Sequence, residues 1–206
     1  RMVVVPADGR LPYTPAARKE VSETDPMERP MNNPEDRPLA ERCIAQGGLA
    51  PNTGTAGLNF VRFVQTPEHV VIHTEYGGEA RVIPFSDRHR PEGVSSVLGD
   101  SIARWEGDTL VIETIGLPAE DRLRAFPRLI VSADATVVER YTRLTPDELL
   151  YQFTVIDPAV YEAEWLGEYS LTRTGGRMYS HECHEGNYSL ENILKAGRQA
   201  DVRREQ

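Results

Sequence analysis

The chain is poor in cysteine. Two occur in 206 residues, Cys43 and Cys183, and neither belongs to a CxxC, nor does any HExxH appear. The usual zinc frameworks, which need closely spaced ligands around one ion, are thereby left without their motif. Positive charge is also scarce: 23 Lys and Arg stand against 32 Asp and Glu, a net charge of −9. That balance repels phosphate backbones and anionic lipid at long range, so nucleic acid is not expected as a partner. No run approaches the roughly 18 apolar residues of a membrane-spanning helix, and no membrane insertion is expected. Phosphate loop, dinucleotide fingerprint and GxSxG elbow are all missing, which removes nucleotide cofactors and the common serine-hydrolase mechanism. No cofactor is expected. The first residues lack a basic segment followed by an apolar one, but the chain starts at Arg1 and not at Met, so an upstream signal segment is permitted.

What remains is an ordinary soluble composition, 39% apolar and 27% charged, long enough for one domain with a real core. Residues 1–58 are dense in Pro, Gly, Asn and Asp. They predict an irregular N-terminal arm packed on the domain, docked through Val3 to Val5, Leu11 and Tyr13. One short helix is expected at "TPAARKEVSE", with Thr14 as cap and Pro15 in the first turn. Residues 59–206 change character, to short runs of Val, Ile, Thr, Tyr and Phe between turn residues. Hairpins are predicted at Gly77-Gly78, at Gly107-Asp108, through "TPDE" and at Gly175-Gly176. With "LNFVRFVQ" ahead of them they make about nine strands in sequence. The fold class is mainly β, an antiparallel up-and-down meander expected to close into a lipocalin-like barrel because closure removes exposed edges. A C-terminal helix follows, capped by Asn187 or Ser189, and is expected to plug or flank the barrel.

"GDSIARWEGDTLVIET", "VVERY" and "CHEGNYSLENIL" resemble a family of exported, uncharacterised bacterial β-rich proteins, and "DGRLPYTPAAR" and "FVQTPEHVVI" extend the likeness over most of the chain. The resemblance implies export to the periplasm or beyond, and it implies no particular reaction. With export implied, Cys43 and Cys183 are expected to form a disulfide tying the arm to the last strand; two separate buried thiols are the alternative. His181, Cys183 and His184 alternate along a strand, so at most two could face one ion, and no metal is expected.

Four polar rows are candidates for a site. In the Gly107-Asp108 hairpin, Ala103, Trp105, Leu110 and Ile112 read as core. The other face sets Arg104 diagonal to Glu113 with Asp100 beyond, either an inward ligand-orienting pair or an outward surface pair. In the Gly77-Gly78 hairpin His73 and Glu75 share a face, with Tyr76 and Arg81 on the other, so His73 could serve as a general base. Glu139 and Tyr141 are expected opposite Thr154 and Gln152, on the face away from Tyr151 and Phe153. His181 is expected across from Ser170, and Tyr179 across from Thr172. Three functions stay open. One is a cofactor-free lyase, isomerase or hydrolase acting on a small, partly apolar compound, with His73 or His181 as base, Glu75, Glu113 or Glu139 as partner and Arg104 stabilising negative charge. The others are a binding protein with the same pocket, lined by Tyr76, Arg81, Asp100, Tyr141 and Tyr179, and a structural domain with a filled interior. Oligomeric state is not legible.

Overall fold

Runs of β-branched and aromatic residues between glycine-bearing turns fold here as antiparallel ladders, as their alternation requires. The computed structural model describes residues 2–25, 29–45, 47–53, 60–91, 94, 96–124 and 128–204. The strands are β1 (Val3–Val5), β2 (Val61–Gln65), β3 (His69–Thr74), β4 (Ala80–Pro84), β5 (Asp100–Glu106), β6 (Thr109–Ile115), β7 (Leu123–Arg124), β8 (Leu129–Ile130), β9 (Thr136–Thr145), β10 (Glu148–Ile156) and β11 (Trp165–Thr172). Two α-helices join them, α1 (Pro15–Glu23) and α2 (Tyr188–Arg204). Six strands form one sheet in the order β1-β11-β10-β9-β6-β5, three form a second in the order β2-β3-β4, and β7 and β8 pair alone. Backbone bridging between the two larger sheets is confined, among the described residues, to one isolated bridge, Phe85 to Ala103.

The protein is thus mainly β and antiparallel with a C-terminal helix, as expected, but among the described residues no sheet closes into a barrel. Two local causes interrupt the meander. The long segment between β4 and β5 replaces a tight turn with a loop, so the ladder is broken there. At the far end, the segment read as a last strand leaves the sheet: β11 stops at Thr172, and residues 173–182 form no ladder. An open seam results. Among the described residues β2 has a partner on one edge only, and β1 covers β11 only near Leu166 and Gly167. The arm boundary expected at residues 58 and 59 lies outside the described residues.

Register decides which side chains meet. The Gly107-Asp108 hairpin pairs as predicted, Ile102 with Glu113, but the Gly77-Gly78 hairpin is shifted by two residues: a two-residue turn would set His73 opposite Val82, whereas the wider turn around Tyr76–Gly78 sets His73 opposite Ala80 and Val71 opposite Val82. Gly107 takes φ +59, the left-handed backbone that the turn needs and that glycine adopts freely. Ala103, Leu110 and Ile112 are buried, whereas Trp105 at the hairpin tip is 48% exposed, beyond the reach of the covering sheet. The hairpin between β9 and β10 differs from expectation. Its ladder pairs Glu148 with Thr145 but Leu149 with Arg143, so Leu144 is an extra, bulged residue. A bulge shifts the register by one and swaps the faces that oppose each other. Glu139 therefore faces Phe153 and Tyr141 faces Tyr151, on the core side.

That core side is layered. Across β9, β10 and β11 run Val137, Val155 and Trp165; then Glu139, Phe153 and Gly167; then Tyr141, Tyr151 and Tyr169; then Arg143, Leu149 and Leu171. Gly167 has no Cβ because one would lie 2.4 Å from the Phe153 ring. The β2–β4 sheet packs over these layers, Phe63 meeting Tyr141 edge-on with ring centres 5.0 Å apart.

The arm docks where its apolar residues predict. β1 adds an edge strand to β11, and Tyr13 stacks on Tyr161 with ring centres 5.0 Å apart. Thr14 caps α1 by accepting the Ala17 N–H at 3.3 Å. α2 is capped by Asn187, which accepts the Leu190 N–H at 3.2 Å. It neither plugs nor covers the sheets' interior. Gly197 instead lets the helix lie against Met31, where a Cβ would come within 2.6 Å of backbone, and Arg198 donates to the Asn32 carbonyl at 3.1 Å. No described helix is long and apolar enough to cross a membrane.

Cys43 and Cys183 form a disulfide, with Cα atoms 5.7 Å apart and 140 residues between them in sequence. It joins the arm to the segment preceding α2. Closing so long a loop restricts the unfolded chain strongly, and replacing both cysteines with alanine is expected to lower stability by about 2–5 kcal/mol. Chemical denaturation of oxidised, reduced and doubly substituted protein checks this, with reduction expected to mimic substitution. A loss under about 1 kcal/mol would show that the native contacts, not the covalent tie, hold the arm.

Candidate functional site

Four places could carry a site, and the polar groups expected to share one pocket are divided among the first three and the surface. The first is inside. Arg81 on β4 reaches across the interior and donates through one Nη to Glu139 Oε2 at 2.7 Å, to Thr114 Oγ1 at 3.0 Å and to Ser101 Oγ at 3.2 Å. The other Glu139 oxygen accepts from the Tyr151 and Tyr141 hydroxyls at 2.8 and 3.2 Å. Glu139 and Thr114 have no exposed surface, and Arg81, Tyr141 and Tyr151 are buried. Burial opposes the guanidinium's charge, but Glu139 outweighs it and raises the Arg81 pKa above its ordinary value. Burial, reinforced by the Glu139 charge, pushes Tyr141 and Tyr151 well above an ordinary phenol. Glu139 and Tyr141 thus meet Arg81, which the sequence assigned to a different row, and the three are sealed from any substrate. Tyr151, Thr114 and Ser101 complete the cluster, and the bulge at Leu144 is what turns Tyr151 toward Glu139.

A second cluster lies on the opposite face of β5 and β6. His89 stands between two carboxylates, Nδ1 2.8 Å from Asp100 Oδ2 and Nε2 3.2 Å from Glu113 Oε1. Arg90 adds its backbone N–H and its Nε to Asp100, at 3.0 and 2.6 Å. Burial works against the Asp100 carboxylate, yet these donors hold its pKa below the usual range. His89 and Arg90 were not among the expected residues. Their segment, "SDRHRPEG", reads as a turn, and only a histidine-arginine pair in a loop reaching back to a buried Asp could have signalled them. Arg104 is not part of this group. It lies at the exposed end of the hairpin and makes a surface pair with Glu106 at 2.8 Å, not with Glu113, which His89 engages.

The third place is the turn after β3. The strand ends at Thr74, so Glu75 leaves the face it was expected to share with His73. The Glu75 carboxylate is buried and accepts the Tyr179 N–H at 2.9 Å. His73 stays on the outer face of its sheet, and no hydrogen bond or ion pair joins it to Glu75. His181 and Tyr179 do not pair with Ser170 and Thr172, because β11 has already ended. The tail crosses instead to the glycine turn. There Gly77 N–H donates to His181 Nδ1 at 3.2 Å, which leaves the ring proton on Nε2, and the His181 and Tyr76 ring centres lie 5.3 Å apart. Both line a shallow pocket of about 320 Å³ beside the disulfide. The Tyr179 side chain is exposed.

The fourth place is the seam. A cleft of about 650 Å³ opens between β2, the tip of the β9–β10 hairpin and the residues after β11. Phe60, Phe63, Leu149, Leu171 and Met178 give it apolar walls, and Arg62, Arg143 and Arg173 line it with charge. None of the expected catalytic or ligand-binding residues lines this cleft, and no histidine does. Arg143 had a visible signal, since it continues the Val137, Glu139, Tyr141 face into a fourth layer. Among the described residues no three His, Cys, Asp or Glu side chains come together with metal-holding geometry. Comparison with protein-family models, with curated proteins and with solved structures finds no match.

Proposed function

We propose that the protein binds a small, partly apolar organic compound in the seam cleft and does not turn it over. The observation that carries this reading is the cleft itself. Its volume of about 650 Å³ falls within the range of small-molecule sites, and apolar walls with a few charged groups are the usual composition of such sites. Acid-base turnover has less support. His73, Glu75, His181, Glu113 and Glu139 stand in separate places, each turned outward, held by another group or sealed, and the cleft has no histidine to serve as a base. The disulfide supports an oxidising compartment for the chain, periplasmic or extracellular, in keeping with the exported proteins its segments resemble.

Calorimetric titration with a panel of small aromatic and aliphatic compounds tests the reading. Saturable binding of at least one class is expected, and Leu171→Trp, which fills the half-buried wall of the cleft, is expected to abolish it without lowering the unfolding temperature. Binding that survives Leu171→Trp, or no binding at all, overturns the proposal.

A further inference from the structure

We infer that the ligand of the seam cleft is an amphipathic carboxylate, its headgroup held by Arg143 and Arg62 and its apolar body laid against Phe63, Leu149 and Leu171. The inference rests on the cleft being the binding site and adds the chemistry of what enters it.

Register supplies the first reason. On the core side of β9, β10 and β11, Arg143 occupies the mouth layer beside Leu149 and Leu171, directly beyond Tyr141, Tyr151 and Tyr169. Arg143 is exposed to solvent there, so its guanidinium is open to an incoming anion. Three other strand arginines have a counter-charge. Arg81 lies 2.7 Å from Glu139, while Arg104 and Arg140 each lie 2.8 Å from Glu106. Arg62 and Arg143 have no ion pair or hydrogen-bonded side-chain partner among the described residues. Both line the same cleft, from opposite sides of the seam.

Charge supplies the second reason. Within a chain of net −9, the cleft lining holds three arginines against two carboxylates, Asp147 and Glu148. Asp147 is already engaged, 3.7 Å from Arg173. Local positive excess in an acidic chain concentrates anions there and disfavours cations. Two guanidinium groups lining one cleft with apolar walls suit a carboxylate, which accepts charge-assisted hydrogen bonds from each.

Matched titrations test this: octanoate against octan-1-ol, and 4-phenylbutyrate against 4-phenylbutan-1-ol, with the native protein, with Arg62→Gln, and with the double variant Arg62→Gln/Arg143→Gln. Each acid is expected to bind about tenfold or more tightly than its alcohol, an advantage that shrinks as salt is raised and disappears in the double variant while alcohol binding stays. Arg62→Gln alone, on an exposed strand face, should lose part of the advantage and keeps the test available if the double variant is unstable. Acid and alcohol binding equally well to the native protein overturns the carboxylate inference but leaves the cleft a binding site. An acid preference unchanged in the variants removes the arginines from the site. Failure of all four compounds to bind, even weakly, counts against the cleft as a site and against this inference with it.

Discussion

Replacing Glu139 with Gln is expected to destabilise the fold by about 3–5 kcal/mol, although the new side chain has nearly the same shape. Three partners depend on that one carboxylate: Arg81 at 2.7 Å, Tyr151 at 2.8 Å and Tyr141 at 3.2 Å. Glutamine keeps an oxygen for the hydroxyls but offers no charge to Arg81, whose guanidinium stays buried with only the Ser101 and Thr114 hydroxyls to answer it. An uncompensated buried charge is the costly outcome, far more than the loss of one neutral hydrogen bond. The same logic predicts asymmetry. Arg81→Met and Glu139→Leu combined with Tyr141→Phe and Tyr151→Phe remove both charges and the hydroxyls that depend on the carboxylate, and are expected to recover most of the loss, because apolar side chains suit the surrounding Ile112, Phe153 and Leu110 layer. Urea denaturation of the single and combined variants decides it through the transition midpoint. A single substitution costing under about 1 kcal/mol would mean that the pair is water-accessible, contrary to its burial.

This network also marks where the letters of the chain were readable and where they were not. Features set by neighbours in sequence were legible: the Thr14 and Asn187 caps, the places of the glycine hairpins of β3–β4 and β5–β6, and the register of the second. Each depends on local backbone chemistry that a short segment carries whole. The bulge at Leu144 was not legible, since Thr145-Pro146-Asp147-Glu148 is compatible with a plain turn and the extra residue is settled only by which face finds the core. The tail shows the same limit. Gly175-Gly176 has the chemistry of a hairpin turn, but Glu75 and Gly77, each 104 residues upstream of its partner, hold Tyr179 and His181 instead. As for the site, Asp100, Glu113, Glu139 and Arg81 were recognisable as polar intruders in apolar strands. What they pair with depends on how the two sheets roll together, which strand alternation does not specify. The seam and its arginines exist only because that roll stays open.

Above pH ~10 the protein is expected to unfold in a narrow range, and its buried tyrosines are the reason. Burial, together with the Glu139 charge, raises the pKa of Tyr141, Tyr151 and Tyr169, and burial with the neighbouring Tyr13 does the same for Tyr161. Folded, these phenols keep their protons at a pH where the unfolded chain has released them. The native state therefore binds more protons, and stability falls as pH rises through the unfolded value near 10 toward the folded ones. Below that window the contribution is fully present. Each such group contributes a slope of about 1.4 kcal/mol per pH unit, so the four together reach roughly 5 kcal/mol per unit. A domain typically has about 5–15 kcal/mol in total, so about one to three units above the free phenol value suffice to unfold it. Phenolate ultraviolet absorbance and circular dichroism followed on the same samples should change together for these groups. Tyr141→Phe removes one titrating group and should make the pH dependence shallower by about 1.4 kcal/mol per unit, whatever it does to stability at neutral pH. Complete phenolate formation while the β signal persists would mean that water already reaches Glu139, and the sealed interior would have to be abandoned.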